Sequence, residues 1–132
     1  MAALTCDIVT QQAKLFSDDA YMVVVPGIEG EMGFLAGHVP LVSPLADGIV
    51  RVVKENGGEA QRFALQGGYV QVTGEKVIVL ADRALRVEDI DVAAVNETLK
   101  GLQEKLAGMT EEEARKTTLA ADISWCNVQL QA

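Results

Sequence analysis

The first two thirds of the chain alternate between short apolar runs and turn residues, a pattern typical of β-strands. Residues 21–26 form a β-branched run that ends at Pro26 and Gly27. Two strand–turn–strand patterns follow, at residues 49–65 and 69–80, and the first contains the turn pair Asn56-Gly57. Because an Asn-Gly pair between two such runs favours a hairpin, the pattern predicts short paired strands in a sandwich or flattened barrel.

The apolar period changes from two to about 3.6 residues near Arg86, which predicts helices in the rest of the chain. Alternating spacings of three and four residues mark one helix face, made of Val92, Val95, Leu99, Leu102 and Leu106. Asp89 or Asp91 is placed to cap the start of this helix, and Gly108 to end it in the left-handed conformation.

A second helix is predicted to begin after Thr110, because Thr110 and Glu113 have the spacing of a capping box. Its helical periodicity continues to Leu130 without a proline. The two helices are separated by two or three residues, so they must run antiparallel as a hairpin. A two-helix unit cannot bury its own outer stripe, which consists of Leu119, Ile123, Trp125 and Leu130. We therefore expect this stripe to dock on the sandwich or on a partner.

The amino-acid composition limits which classes of protein this chain can belong to. The 132 residues are 49% hydrophobic and carry a formal net charge of −8, which suits a packed core and disfavours nucleic acid or anionic lipid as partners. The N-terminal residues lack the pattern of a signal peptide, so Cys6 and Cys126 are expected to be free thiols in a reducing compartment. No apolar run reaches the length of a membrane span, so any membrane association is expected to be indirect.

Candidate chemistry is sparse, and we predict no catalytic residue, metal or cofactor. His38 is the only histidine, and the two cysteines lack metal-ligand spacing. The run Gly27, Gly30 and Gly33 is neither a Walker loop nor a dinucleotide-binding fingerprint. It is interpreted as a winding β connection in which glycine supplies positive φ angles.

Residues 27–48 carry the most specific signal, because they resemble the signature of F-type ATP synthase epsilon subunits. The matching positions are Gly27, Gly30, Gly33, Gly37, His38, Pro40, Leu41 and Gly48. Gly67-Gly68 and Leu80-Ala81-Asp82 match further family positions, and the resemblance extends over the whole chain. It implies a β-plus-α fold, in which a ten-stranded β-sandwich at residues 1–87 precedes an antiparallel two-helix hairpin at residues 88–132.

The resemblance also implies a function. Family members are non-catalytic central-stalk rotor subunits that couple ion translocation to ATP synthesis, with the gamma subunit and the c-ring as partners of the sandwich. The hairpin is mobile: it packs on the sandwich, or it extends into the catalytic alpha/beta head and inhibits ATP hydrolysis. Its interface residues are expected to be Leu99, Leu102, Leu119, Ile123 and Trp125. The implied location is peripheral, on the cytoplasmic face of the bacterial cell membrane, with a plastid thylakoid as the alternative.

At the c-ring, the resemblance implies contacts through the loop that carries Glu31 and His38. Glu31 would meet basic groups of the ring loops, and its alternative interpretation is a solvated turn acid. His38 is interpreted as a hydrogen-bonded structural residue rather than a proton carrier.

Some bacterial family members bind ATP through a motif at the start of the first helix. Ile90 and Asp91 match this motif, but Ala94 occupies the position of its arginine. The second candidate function, an ATP-sensing regulatory subunit, is therefore disfavoured. A third candidate, a small enzyme on a β-sandwich, is disfavoured because the sequence lacks a nucleophile, base and metal constellation.

Overall fold

Ten strands in two five-stranded sheets precede the helices in the computed structural model, which describes residues 4–37, 40–55, 57–115 and 117–131. The strands are β1 (Leu4–Val9), β2 (Lys14–Ala20), β3 (Met22–Gly27), β4 (Gly30–Leu35), β5 (Leu41–Pro44), β6 (Gly48–Val53), β7 (Ala60–Gln66), β8 (Tyr69–Val72), β9 (Lys76–Leu80) and β10 (Arg83–Arg86). A 3₁₀ turn, Val87–Asp89, leads to helices α1 (Val92–Ala107), α2 (Glu111–Arg115) and α3 (Leu119–Gln131). The predicted β-sandwich followed by helices is confirmed.

The strand order is β2-β1-β9-β8-β5 in sheet A and β10-β7-β6-β3-β4 in sheet B. Both predicted hairpins form, since β6 pairs with β7 and β8 with β9 in antiparallel register. The N-terminal strand β1 lies between β2 and β9 and runs parallel to β9. This long-range pairing ties the start of the chain to the end of the sandwich.

The core between the sheets consists of alternating apolar side chains from both. Its largest fully buried members are Phe34, Phe63, Leu4, Ile8 and Leu65. Phe16 meets Phe63 edge to face, with ring centroids 5.5 Å apart. The Arg86 guanidinium lies 5.3 Å from the Phe63 ring centroid and donates a hydrogen bond to the carbonyl oxygen of Leu15 at 2.6 Å. Arg86 therefore links β10, the aromatic pair and the start of β2.

Asp7 is a buried carboxylate on β1, only 6% exposed. The Ser17 hydroxyl donates to it at 2.7 Å, and the ammonium groups of Lys76 and Lys14 lie 3.1 and 4.0 Å from its Oδ2 atom. The Ser17 hydrogen bond, with help from Lys76, lowers the pKa of Asp7 against the opposing effect of burial. Asp7 is thus a satisfied buried acid that ties β1 to β2 and β9.

Helix α1 begins at the expected cap and ends differently from the prediction. The Asp91 carboxylate accepts a hydrogen bond from the Ala94 N–H at 3.1 Å, so Asp91 rather than Asp89 is the N-cap. Gly108 has φ −86° and ψ 0°, so the predicted left-handed ending is wrong. The Gly108 N–H donates to the Lys105 carbonyl at 3.2 Å, which closes the last turn without a left-handed residue.

The single second helix that the sequence predicts is divided into α2 and α3. Thr110 caps α2, since its hydroxyl accepts from the Glu113 N–H at 3.2 Å. Between the helices, the Thr117 hydroxyl accepts from the Leu119 N–H at 3.3 Å, and Thr118 donates to Asp122 at 3.1 Å. Threonine hydroxyls offer the backbone an alternative to helical hydrogen bonds, which explains the break. None of the described helices is both long and apolar enough to cross a membrane.

Candidate interaction surfaces

Helix α3 lies on the outer face of sheet B, over β7. Its buried residues are Leu119, Cys126, Val128 and Gln129. Beneath it, Ala64 of β7 is fully buried although the residues on either side of it, Phe63 and Leu65, point into the sandwich core. The small Ala64 side chain lets the helix approach the sheet closely, so the sandwich covers part of the hairpin's apolar surface.

Three sandwich side chains make polar contacts with α3. The Gln66 amide donates to the Ala121 carbonyl at 2.6 Å, and the Arg83 guanidinium donates to the Asp122 carboxylate at 2.6 Å. The Ser124 hydroxyl donates to the Asp47 carboxylate at 2.5 Å. The hydrogen bond from Arg83 lowers the pKa of Asp122, which therefore stays ionised and paired at neutral pH.

The five predicted hairpin-interface residues differ in burial. Leu119 is buried, while Leu99, Leu102, Ile123 and Trp125 are half-buried. Helices α1 and α3 pack on each other, and Trp125 and Leu102 line one groove between them. Val92, the first residue of the predicted stripe, is 55% exposed, so the packed face of α1 starts at Val95.

The groove beside Trp125 has a volume of about 420 Å³ and lies where α1, α3 and β10 meet. Its lining residues are Arg83, Asp91, Ala94, Val95, Thr98, Leu102, Asp122, Trp125, Cys126 and Gln129. The Arg83 guanidinium, its one cation among the described residues, is already bound to Asp122. Ile90 lies at the preceding turn, where its N–H donates to the Val87 carbonyl at 3.2 Å. The groove therefore carries more negative than positive charge.

A row of exposed apolar side chains crosses sheet A, and we call it the sheet-A row. Strand register places Pro44 opposite Tyr69, Tyr69 opposite Leu80, and Leu80 opposite Val9. Tyr69 is 57% exposed and Leu80 46% exposed. Val42, two residues before Pro44 on the edge strand β5, is 67% exposed and extends this surface. The interior residues of the same strands alternate with the row, so it faces solvent.

Glu31 lies next to the β3–β4 turn on the edge strand of sheet B, with its side chain largely exposed. Its carboxylate accepts a hydrogen bond from the Arg51 guanidinium at 3.2 Å. The same turn shares a groove with Ser43 and Pro44, which connects it to the sheet-A row. His38, the other predicted c-ring residue, lies outside the described residues.

The glycine run adopts a simpler conformation than predicted. Gly30 alone of Gly27, Gly30 and Gly33 has a positive φ, at 133°. Gly27 is required by close packing instead, because a Cβ atom there would lie 2.6 Å from the Gly30 carbonyl oxygen. Gly33 has no positive φ, and a Cβ atom there would make only an ordinary contact with Val24 at 3.9 Å. The run is a tight hairpin turn between β3 and β4 rather than a winding connection.

Two findings bear on candidate chemistry. Within the described part of the chain, no group of three or more metal-ligating side chains is close enough to hold an ion. Cys6 and Cys126 are both buried, and burial raises the pKa of the Cys6 thiol to about 12 and that of Cys126 in the same direction. Both thiols are therefore poor nucleophiles.

Comparison with known proteins decides the family. The family model for the beta-sandwich domain of the ATP synthase delta/epsilon chain matches residues 3–87. The ATP synthase epsilon chain of Chromohalobacter salexigens is 38% identical over 99% of this chain and 92% of its own length. The chain belongs to the ATP synthase epsilon-chain family. It is accordingly an accessory stalk subunit of the synthase rather than its catalytic unit.

Further relatives agree with this family assignment. The ATP synthase epsilon chain 2 of Ralstonia nicotianae is 43% identical over 80% of this chain and 76% of its own length. Among solved structures, a chain of the Euglena gracilis mitochondrial ATP synthase, an OSCP/F1/c-ring structure, superposes with a TM-score of 0.77. It is 25% identical and the match covers 100% of this chain and 83% of that one. The likeness therefore includes the helices as well as the sandwich.

Because the chain belongs to this family, nucleotide binding is the first property to test in the groove beside Trp125. The isolated chain is expected to bind ATP no more tightly than about millimolar, roughly −4.1 kcal/mol. The reason is electrostatic: Asp91 and Asp122 face the groove, while Ala94 supplies no guanidinium and Arg83 is paired. Isothermal titration calorimetry measures the affinity, with Ala94→Arg as the matched variant. A micromolar dissociation constant for the unaltered chain would contradict this expectation.

Sequence reasoning did not find the polar contacts of α3 or the sheet-A row. Gln66 and Arg83 lie at the end of β7 and the start of β10, Asp47 lies in the connection between β5 and β6, and the three share no local motif. The residues of the sheet-A row are separated by up to 71 positions along the chain, from Val9 to Leu80, and only strand register aligns them. The spacing of apolar residues on single strands carries no information about such alignments.

Proposed function

We propose that this chain is a rotor subunit of the ATP synthase central stalk, where it couples ion translocation to ATP synthesis. The observation that carries the proposal is the likeness of the whole chain to a chain from a solved OSCP/F1/c-ring assembly, together with the match of its sandwich to the family model. Residues 1–87 are the coupling domain and residues 88–132 the regulatory hairpin. The bacterial origin of its relatives supports a peripheral location on the cytoplasmic face of the cell membrane, reached through protein partners.

The gamma subunit docks on the sheet-A row. Tyr69, Leu80 and Val42 expose apolar surface on a face of the sandwich opposite to the one that α3 covers. Exposed apolar residues that lie side by side across a sheet are typical of a permanent protein interface. Burial of this row by gamma would also leave Glu31 and its turn free at the adjoining end of the sandwich.

Tyr69→Ala is expected to weaken gamma binding at least about thirtyfold, which corresponds to the roughly 2 kcal/mol of an interface hot spot. The fold should be unaffected because Tyr69 is 57% exposed. The matched control is Tyr21→Ala, an exposed tyrosine in the turn between β2 and β3. Calorimetry with purified gamma measures both affinities. Equal losses in the two variants, or no loss in either, would count against docking on this row.

The c-ring meets the β3–β4 turn through Glu31. Its carboxylate is exposed on an edge strand, so a basic ring loop can approach it, and the Arg51 guanidinium at 3.2 Å holds it in place. An exposed pair of this kind contributes little to stability, so Glu31 can exchange Arg51 for a basic partner at small cost. The proposal extends to His38 on the strength of the family resemblance alone.

The hairpin regulates ATP hydrolysis and is dispensable for coupling. Deletion of the residues after Gly108 is expected to leave ATP synthesis coupled to proton flow and to change ATP hydrolysis at most. The physical reason is that the core of the sandwich is built from residues of β1 to β10 and α3 covers only its outer face. Membrane vesicles with the full-length or the shortened chain allow synthesis, hydrolysis and proton pumping to be compared. Uncoupled proton flow in the shortened form would show that the hairpin is structural in the rotor.

An ATP-sensing role is the second candidate. Asp91 lines the groove at the start of α1, which favours it, but Ala94 and the charge of the groove do not. The calorimetric titration above separates the two functions.

A further inference from the structure

The outer helix α1 is attached to the sandwich through α3. Among the described residues, the extensive packing contacts of α1 are with α3, whereas α3 packs on β7 as well. α1 is also joined covalently to the sandwich, through the short turn Val87–Asp89 that follows β10. The hairpin therefore stays on the sandwich only as long as α3 does.

The polar contacts between the sandwich and α3 are concentrated in one short segment of the helix. Gln66, Arg83 and Asp47 contact residues 121, 122 and 124, within little more than one helical turn. We call these three side chains and their three partners the α3 latch. They come from the end of β7, the start of β10 and the connection between β5 and β6. Three separate parts of the sandwich thus converge on one turn of the helix.

The sandwich side of the latch is preorganised. Asp47 also accepts a hydrogen bond from the Gly67 N–H at 3.0 Å, and Gln66 and Arg83 are directly opposite each other in the β7–β10 ladder. On the helix, Thr118 donates to Asp122 at 3.1 Å and so orients its carboxylate towards Arg83. Because these groups are held by their own elements, closing the latch requires little further ordering.

The chemistry of the latch also suits reversible opening. Asp122 and Arg83 retain side-chain exposures of 27% and 39%, so water can solvate both when the helix leaves. On the sheet side, β7 contributes the small side chain of Ala64 to the apolar part of the contact. Polar contacts that water can replace are consistent with docked and undocked states that differ by a few kcal/mol.

We propose that the α3 latch is the switch that sets whether the hairpin is docked, and that its opening releases α1 and α3 together. The inference rests on the regulatory role proposed above and names the residues that control it. Because the latch is made entirely of side chains and backbone of this chain, the docked state forms without a nucleotide.

The labelling rates of the two native cysteines test the proposal directly. Cys126 is 4% exposed in α3 and lines the groove that Arg83 of β10 closes on one side, so it is expected to gain exposure when α3 leaves β10. Cys6 is 0% exposed in the sandwich core and becomes accessible when the sandwich unfolds. The labelling rates of both thiols with a disulfide reagent are measured by mass spectrometry on the full-length chain. Arg83→Gln and Ser124→Ala each remove one latch contact. Arg62→Gln on exposed β7 surface and Asn127→Ala on exposed α3 surface are their matched controls.

We expect Arg83→Gln to accelerate Cys126 labelling about tenfold or more, as for loss of a charge-assisted hydrogen bond, while Cys6 labelling stays at the rate of the unaltered chain. Ser124→Ala should act in the same direction, and neither control should change the rate. Added ATP at about 0.05 mM, well below the millimolar limit expected for its dissociation constant, should leave all rates unchanged. The double variant Arg83→Gln, Asp122→Asn should be no faster than Arg83→Gln, because both substitutions break one contact.

Any one of three results would contradict the proposal. These are equal Cys126 labelling rates in Arg83→Gln and Arg62→Gln, an acceleration of Cys6 labelling that parallels that of Cys126 in the latch variants, or a Cys126 labelling rate in Ser124→Ala equal to that of the unaltered chain. The ATPase activity of the assembled synthase tests the underlying function separately. Latch variants that open the hairpin but leave ATP hydrolysis unchanged would support the latch and contradict the regulatory role.

Discussion

Gly68→Ala is expected to abolish the sandwich fold. Gly68 lies between β7 and β8 with φ 101°, and a Cβ atom there would lie 1.8 Å from the Leu80 carbonyl oxygen and 2.8 Å from the Ala81 Cα atom. Those neighbours belong to the backbone, so relief of the clash requires β8 to move away from β9. The Gly68 carbonyl also accepts the Leu45 N–H at 2.9 Å, a contact that would be lost with it. We expect a destabilisation above about 4 kcal/mol, the exceptional end of single substitutions.

The control for this variant is Gly74→Ala in the turn between β8 and β9. A Cβ atom at Gly74 meets nothing within 4 Å, so the change should stay within about 0.5 kcal/mol of the unaltered chain. Thermal unfolding followed by far-ultraviolet circular dichroism measures both. Cooperative unfolding of Gly68→Ala within a few degrees of the unaltered chain would mean that the turn can relax and that close packing does not explain this glycine.

Phe63→Ala is expected to cost about 3 to 5 kcal/mol, the range for removing a buried aromatic side chain. Phe63 is fully buried, touches Phe16 edge to face and carries the Arg86 guanidinium over its ring. Its removal leaves a cavity and takes away the surface that holds Arg86 at the junction between the sandwich and α1. Most of the stability of a domain of this size would be lost, and with it the ability to bind gamma.

Urea unfolding at neutral pH measures this change, with Tyr21→Ala as the exposed aromatic control. The control should change the free energy of unfolding by less than about 1 kcal/mol. If Phe63→Ala unfolds at the same urea concentration as Tyr21→Ala, the aromatic pair is not the centre of the core. A second variant, Arg86→Leu, distinguishes the guanidinium contact from the cavity, because it keeps the Phe63 ring.

These variants also distinguish the role of the sandwich from that of the hairpin, because they differ in whether the sandwich stays folded. A chain with an open latch keeps the sandwich and its proposed docking row, whereas Gly68→Ala and Phe63→Ala remove both. Among these variants, loss of coupling is therefore expected only in those that unfold the sandwich. Altered hydrolysis with intact coupling is expected in variants that release the hairpin.

The sequence alone determined much of the local structure of this protein. The β6–β7 and β8–β9 hairpins follow from alternating apolar residues around Asn56-Gly57 and residues 73–76, because strand period and turn chemistry are encoded by neighbouring residues. The Asp91 cap, the Thr110 cap and the face of α1 from Val95 onwards were predictable for the same reason. The glycine and Gly-His-x-Pro-Leu pattern identified the family.

Local reasoning failed where two local signals competed. The helical period of residues 111–131 predicted one helix, but the hydroxyls of Thr117 and Thr118 bind nearby groups and divide it. Gly108 was predicted to be left-handed, and the closing bond from Gly108 to Lys105 makes that unnecessary. In both cases local hydrogen bonds accompany the observed conformation, and apolar periodicity carries no information about them.

Only the tertiary structure decided which distant residues meet. The parallel pairing of β1 with β9 and the α3 latch join segments more than 30 positions apart, and the sheet-A row joins Pro44 to Tyr69 across 25 positions. Glu31 was singled out from the sequence, but its partner Arg51 is reached across β3 and has no signal in the local pattern. Such contacts depend on strand order and register, which are set by the packing of the complete core rather than by any one segment. The sequence thus determined most of the elements and the family, and the fold determined which residues come together on the surfaces proposed for its contacts.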